Sequence, residues 1–222
     1  MKRIIEPELM NETDQVEAYA NADFSISDQE FVNYFLDHAP LDQMKQIADL
    51  GCGPGNITYR LAKALPQVHL VGIDGAHHML KKAKQSCSLM NPSIQKQIQW
   101  LELTLPFSYP FTTSFDAVVA NSFLHHLHQP QVLWETLFQI ARSGAYVLVG
   151  DLYRPPDQQA VSQLVDIYSA DAPTILKEDF FASLCAAFEP HEIKAQLIEL
   201  GLTEWQVQVV SDRHMLISGL IP

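Results

Sequence analysis

The stretch "IADLGCGPGNITYRLAKAL", residues 47–65, joins a short apolar run to three glycines at alternate positions, Gly51, Gly53 and Gly55, and then to a helical pattern. Residues 46–50 suit a buried strand, and from Gly55 the apolar positions Ile57, Leu61, Ala64 and Leu65 recur at helical spacing until Pro66 stops the run. The order is strand, glycine turn, helix. In an open α/β sheet, ligands bind beyond the carboxyl ends of the strands where the strand order reverses, and a first turn of this kind marks that point. Glycine permits positive φ and lets a ligand approach main-chain N–H groups, while the helix that follows presents its N-terminus. The ligand expected there is nucleotide-like.

Outward from this unit the rhythm repeats. A second strand, "VHLVGID" (68–74), leads into a helix whose apolar stripe is Ala76, Met79, Leu80, Ala83 and Cys87. "IQWLEL" (98–103), "FDAVVANS" (115–122), a helix through "VLWETLFQIA" (132–141) and "AYVLVGD" (145–151) continue the alternation. Near-continuous apolar strands between amphipathic helices predict a mostly parallel sheet covered on both faces. After Asp151 the pattern breaks at Pro155 and Pro156, and residues 157–188 read as helical pieces without a strand, an inserted cap at about 155–188. A helix, "PHEIKAQLIELG" (190–201), has Pro at its start and Gly at its end. The strands "EWQVQVV" (204–210) and "HMLISGLI" (214–221), parted by "SDR", suit an antiparallel hairpin at the sheet edge. Before the first strand, residues 12–38 predict two short helices, the second opening with Ser27 and Glu30 at capping-box spacing. The expected fold is α/β: a doubly wound, mostly parallel, seven-stranded Rossmann-like sheet with an antiparallel edge strand. An N-terminal helical arm is expected over 1–45 and the main domain, with its helical cap, over 46–222.

At 222 residues the chain is long enough to bury a sizeable core as one domain. Fourteen basic against twenty-six acidic residues give a formal charge of -12, which repels a phosphate backbone and argues against nucleic acid as a partner. The run "KKAK" (81–84) lies on a predicted helix and reads as a solvated face. Three cysteines, Cys52, Cys87 and Cys185, form no CxxC pair, so a reducing cytoplasm is the expected location. No apolar run reaches the ~18 residues of a membrane span, and "MKRIIEPELMNETDQ" turns acidic where a signal peptide needs an apolar core.

Two acids narrow the ligand. Asp49, two residues before Gly51, can bind an ammonium group directly or through water and is poorly placed near a pyrophosphate. "GCGPGN" also lacks the last glycine of the dinucleotide fingerprint, since Asn56 stands there. Asp74 ends the second strand, where a carboxylate can accept both hydroxyls of a ribose. A nicotinamide-dependent oxidoreductase and a non-catalytic binding protein of the same fold are the weighed alternatives.

Taken together, "DLGCGPGN", "VGID", "LTLPF", "SFDAVVANSFLHHLHQP" and "GAYVLVGDLYRP" resemble the successive motifs of the class I S-adenosylmethionine-dependent methyltransferases, especially small-molecule enzymes similar to those of quinone biosynthesis. The resemblance covers roughly residues 46–152 and implies S-adenosyl-L-methionine as cofactor and a small-molecule methyl acceptor. It places the amino acid part of the cofactor at the turn carrying Asp49, Gly51, Cys52, Gly53 and Asn56, and the ribose at Asp74 and Gly75. The main chain near Ala120 and Asn121 helps hold the ammonium, and Tyr19 reaches in from the arm. Where such enzymes carry an acid against adenine, this sequence has Leu101 followed by Glu102, so either a bulge brings in Glu102 or Leu101 contributes main-chain and apolar contact. A homodimer is compatible with the resemblance.

Methyl transfer from a sulfonium is an in-line displacement, so orientation in a dry site supplies most of the catalysis, and a base is needed only where the acceptor loses a proton. "FLHHLH" puts His125, His126 and His128 just past strand four, and Asp151 ends strand five on the acceptor side; His126, His125 and Asp151 are the candidates for chemistry. No metal site is expected, since adjacent histidines do not converge readily on one ion and no acid cluster accompanies them. His77 and His78 are expected to pack near the ribose or face solvent, and Arg213 to pair with a surface carboxylate. The cap aromatics Tyr168, Phe180 and Phe181 help exclude water or simply pack.

Overall fold

The structure, a computed structural model, describes residues 1–6, 10–107 and 114–222. Two helices, α1 (Thr13–Asn21) and α2 (Ser25–His38), precede the first strand, β1 (Gln46–Leu50). The chain continues through α3 (Asn56–Ala64), β2 (His69–Asp74), α4 (His77–Ser88), α5 (Pro92–Gln97), β3 (Ile98–Glu102), β4 (Phe115–Asn121), α6 (Gln131–Ile140) and β5 (Ala141–Leu152). Two helices, α7 (Gln158–Tyr168) and α8 (Thr174–Ala186), fill the segment read as a cap, before α9 (Pro190–Glu199) and the strands β6 (Gln206–Val209) and β7 (His214–Leu220).

All seven strands form one sheet in the order β3-β2-β1-β4-β5-β7-β6. β1 to β5 pair in parallel, whereas β7 runs antiparallel to both β5 and β6. The antiparallel strand therefore lies one place in from the edge, which β6 occupies. Strand order reverses between β1 and β4, so the mouth of the sheet opens above Leu50 and Ala120, which are paired in register.

The period-two alternation of the strands sorts their side chains onto two buried faces. Leu50, Val118, Ala120, Val147 and Val149 pack with Trp134 and Leu137 of α6 and Ile193 and Leu197 of α9. Ile47, Val119 and Leu148 pack on the other face with Phe31, Val32 and Phe35 of α2 and Ile57 and Leu61 of α3. α7 and α8 have a smaller core of their own, Val161, Val165, Leu184 and Cys185, to which Leu152 and Phe180 and Phe181 belong or pack. The chain start stitches onto it: the Met1 ammonium donates to Pro156 O and the Ile4 N–H to Cys185 O.

Three local expectations need correction. The predicted capping box does not form: α2 begins at Ser25, before Ser27, because the Asp23 carboxylate accepts the Ser25 N–H, and the Ser27 hydroxyl instead donates back to Phe24 O. A helix missed in the sequence, α5, is started by the Asn91 side chain, which accepts the Ser93 N–H, with Pro92 in its first turn. β5 begins at Ala141, not 145, with a register irregularity against β4 between Phe115 and Ala117. Among the described residues, no helix is long and apolar enough to cross a membrane.

Candidate functional site

The glycine turn is built as its sequence requires. Gly51, Gly53 and Gly55 all have positive φ, of 66°, 53° and 92°. Gly51 and Cys52 donate their N–H groups to Ile73 O, which ties the turn to β2. A Cβ on Gly51 would lie 2.2 Å from the Phe123 ring, so that glycine is demanded by packing as well as by φ. At Gly53 a Cβ would meet nothing within 4 Å. The space above Gly53 is open, just before the N-terminal end of α3, while the N–H groups of Gly51, Cys52, Gly53 and Gly55 are taken within the protein.

Asp74 faces this turn. Its Oδ2 accepts the Gly53 N–H at 2.8 Å and its Oδ1 the Ala76 N–H at 2.7 Å, with Gly75 N–H a further donor. Burial nevertheless raises its carboxyl above the ordinary range, against those three bonds. Asp74, Gly75, Leu50, Gly51 and Ile73 line a narrow cleft of about 30 Å³ whose other wall is Leu103, Thr104, Leu105, Phe123 and Leu127. Tyr19 of α1 packs with Ala76 and Met79, and burial among Asp28, Asp74 and Asp151 raises its hydroxyl well above the ordinary value.

Asp49 lies under the glycine turn. It is buried within β1 and takes the Thr58 hydroxyl at 2.5 Å and the Thr58 N–H, thereby capping the first turn of α3. Burial raises its carboxyl to about 7 despite the two bonds from Thr58. The Asn56 side chain bonds Asp28 of α2, a carboxyl that burial raises to about 6, so it braces the arm. Cys52 is buried and its thiol is pushed well up by burial; its sulfur stands near Gly72.

Neither candidate for the adenine contact lines the cleft. Glu102 pairs in register with Asp74, but its side chain turns outward to His77 Nδ1 at 2.8 Å. Leu101, next along the strand and hence on the other face, joins the apolar cluster beneath. The cleft wall on this side is formed by Leu103, Thr104 and Leu105, anchored by the Leu103 N–H to Asp74 O at 3.0 Å. His78 bonds the Asn11 backbone, and Arg213 pairs with Asp212 and lies over the Tyr168 ring.

Beyond β4 the backbone is strained at Ser122, whose φ of 53° is unusual outside glycine, and the Ser122 N–H donates to Gly150 O. Asn121 therefore stays in the sheet, its amide oxygen against Gly150, while the turn throws Phe123 onto Gly51 and His125 inward. His125 is buried; Asp151 accepts its backbone N–H at 3.0 Å and lies 2.5 Å from its Nδ1. Burial alone would depress the imidazole, but the Asp151 carboxylate and, more weakly, Glu6 raise it above its ordinary value.

Glu6 was invisible to sequence reasoning, being remote along the chain. Its Oε1 lies 3.5 Å from His125 Nε2 and 3.3 Å from His126 Nδ1. Arg3, just before it, donates to the carbonyls of His125, Leu127 and Ala186 and covers the Phe188 ring, which fixes the N-terminal segment across this loop. His128 also meets that segment, at Glu6 O. The structure thus brings His125, His126 and Asp151 into one polar cluster joined by Glu6, beside a cleft lined by Gly51, Asp74 and Gly75.

Comparison with known proteins agrees with this geometry. Residues 48–147 match the sequence profile of a family described as a methyltransferase domain. A trans-aconitate 2-methyltransferase of Azoarcus sp. (strain BH72) is 31% identical over 114 residues, 51% of this chain and 42% of that protein. The (+)-O-methylkolavelool synthase of Herpetosiphon aurantiacus is 25% identical over 138 residues, 60% of this chain and 47% of that protein. The chain spans less than half the length of these two curated relatives. In fold, the plantazolicin methyltransferase BpumL in complex with SAH superposes with a TM-score of 0.72 at 13% identity, covering 94% of this chain and 91% of that one. A SAM-dependent methyltransferase from Aquifex aeolicus gives 0.65 at 16% identity, with 93% and 97% covered.

Proposed function

We propose that this chain, a member of the class I S-adenosylmethionine-dependent methyltransferases, transfers a methyl group from that cofactor to an oxygen atom of a small molecule. The observation that carries the reading is the pairing of Asp74 with the open glycine turn in a single cleft. The fit to the cofactor is chemical as well as steric. Gly53 leaves room for a ligand beside the turn, and Asp74, fixed by three N–H donors, presents a carboxylate in one orientation to a ribose diol. Asp49 supplies negative charge beneath the turn for an ammonium, acting through the buried field rather than by direct contact.

Bound S-adenosylmethionine supplies an electrophilic methyl on a sulfonium. The chain's own residues do the rest. Gly51, Gly53 and Asp74 hold the cofactor, Tyr19 and the apolar wall Leu103, Leu105, Phe123 and Leu127 exclude water, and the loop after β4 faces the acceptor. Asp151 fixes the His125 ring from both its backbone and side chain, so these two are positioning residues. His126, less buried than His125, is the group of the cluster best placed to take a proton from a hydroxyl acceptor, with Glu6 compensating the charge. The relatives named for trans-aconitate and for an O-methyl product support an oxygen acceptor of small size. Three free, buried cysteines support a reducing compartment such as the cytoplasm.

Incubation with methyl-labelled S-adenosylmethionine and fractionated metabolites tests this reading. Label should pass to a small molecule, be lost in Asp74→Ala, and fall about 10²–10⁴-fold in turnover in His126→Ala with cofactor affinity kept. Binding of NADH without S-adenosylhomocysteine would instead favour an oxidoreductase.

A further inference from the structure

The cluster at the chain start has the makings of a site of another kind. Glu6 Oε1, His125 Nε2 and His126 Nδ1, one donor atom from each residue, all lie within 4.8 Å of one another. Glu6 Oε1 is buried and accepts no hydrogen bond among the described residues, while the other oxygen takes the Ser183 hydroxyl at 3.3 Å. A zinc ion bonded to nitrogen and oxygen at 2.0–2.1 Å in a tetrahedron sets its ligand atoms about 3.3 Å apart. The two edges running from Glu6 Oε1 are 3.5 and 3.3 Å.

The surroundings fit as well. Asp151, 2.5 Å from His125 Nδ1, leaves Nε2 of the neutral ring as the lone-pair side, the carboxylate–imidazole arrangement that orients metal-bound histidines. Two buried carboxylates, Glu6 and Asp151, crowd one imidazole pair, and a divalent cation would neutralise them. The objection that adjacent histidines do not converge is met by the short 3₁₀ turn Leu124–His126, which sets the two rings 4.2 Å apart and tilted by 36°.

We propose that Glu6, His125 and His126 bind one divalent transition ion, of the zinc type by their nitrogen and oxygen donors, with a fourth position left for a small oxygen ligand. The ion lies on the acceptor side of the cleft, since Phe123 and Leu127, which line it, bracket the two histidines. Its binding does not depend on the methyl-transfer reading, and it is measured without cofactor or acceptor; the ion takes the His126 lone pair that the metal-free ring would use as a base.

The test uses the full chain, stripped with a chelator and titrated at pH 7.5 with zinc chloride against a chromophoric competitor, circular dichroism confirming the fold. One ion per chain is expected. Glu6→Gln and His126→Ala should each weaken it at least tenfold, Asp151→Asn about 10- to 100-fold by loosening the hold on the His125 ring, and the exposed control His191→Ala should change nothing. Cobalt(II) in place of zinc should give ligand-field absorption without a sulfur charge-transfer band, in the unmutated chain whether or not the variants fold. No ion bound, affinity unchanged in folded Glu6→Gln and His126→Ala, or a sulfur-to-cobalt band assigning the ion to a cysteine would each overturn the proposal.

Discussion

Asp49 and Asp74 lie on adjacent strands, and their surroundings set them different tasks. The carboxyl of Asp49, raised by burial to about 7 from an ordinary 3.8, is most compatible with the fold when protonated. Its stabilisation is therefore complete below about pH 4 and is lost as pH rises through 7. For an ammonium-bearing ligand the sign is opposite, because the ligand prefers the anion and affinity climbs toward pH 7. S-adenosylhomocysteine should bind about fivefold more weakly at pH 6 than at pH 7 on account of this group. Asp28 and Asp74 are raised too, so the difference between the unmutated chain and Asp49→Asn isolates the effect. Asparagine keeps the cap on Thr58, and the variant should melt higher at pH 8, with the gap closing at pH 5. A gap independent of pH would refute the assignment. The glycines separate fold from ligand in the same way. Gly51→Ala meets the Phe123 ring and should destabilise the chain, whereas Gly53→Ala meets open space, costs about 1 kcal/mol through its φ, and should lose most in cofactor affinity. The placement of Asp74 against the glycine turn was legible because it follows from position at a strand end. Asp49's partner Thr58 lies nine residues on, and Glu6 lies more than a hundred residues from His125, so neither contact leaves a local pattern.

The elements were read well where periodicity is strong and poorly where a cap or a turn decides. β1, α3, β2, α4 and β4 fall within a residue or two of their predicted bounds because their apolar spacing is uninterrupted. The start of α2 was misplaced because Asp23, outside the helix, does the capping, and α5 was missed although Asn91-Pro92 is a fair start signal. Gly144, at φ 74°, turns the chain between the exposed and buried parts of β5, which hid the strand's first residues. The joint between β5 and α9 is the buried Arg154, which donates to Met1 O and Ala187 O and pairs with Glu189 and Glu192. Arg154→Met keeps the stem and removes those bonds. It should cost about 2–3 kcal/mol in urea unfolding, below the figure for a fully buried pair because both glutamates are about a third exposed. Arg3→Ala should speed hydrogen exchange at Leu124–Leu127 and in the last turn of α8, while β1 and β4 stay protected.

The doubly wound, mostly parallel sheet and its reversal beside β1 were legible, since they follow from alternation of strand and helix and the glycine turn that opens the series, whereas the order of the strands came from the structure. That reversal places the glycine turn, Asp74 and the loop after β4 around one cleft. The acceptor was not legible, because in-line transfer imposes no compulsory residue signature on the chain. Calorimetric titration of the full chain with S-adenosylhomocysteine is the most direct test. One molecule should bind per chain, and Asp74→Ala, with its fold intact, should bind about ten- to a hundredfold more weakly, the loss of roughly 1.5–3 kcal/mol for charge-assisted bonds. A folded chain that takes up none, or an Asp74→Ala variant that binds equally well, would contradict the account.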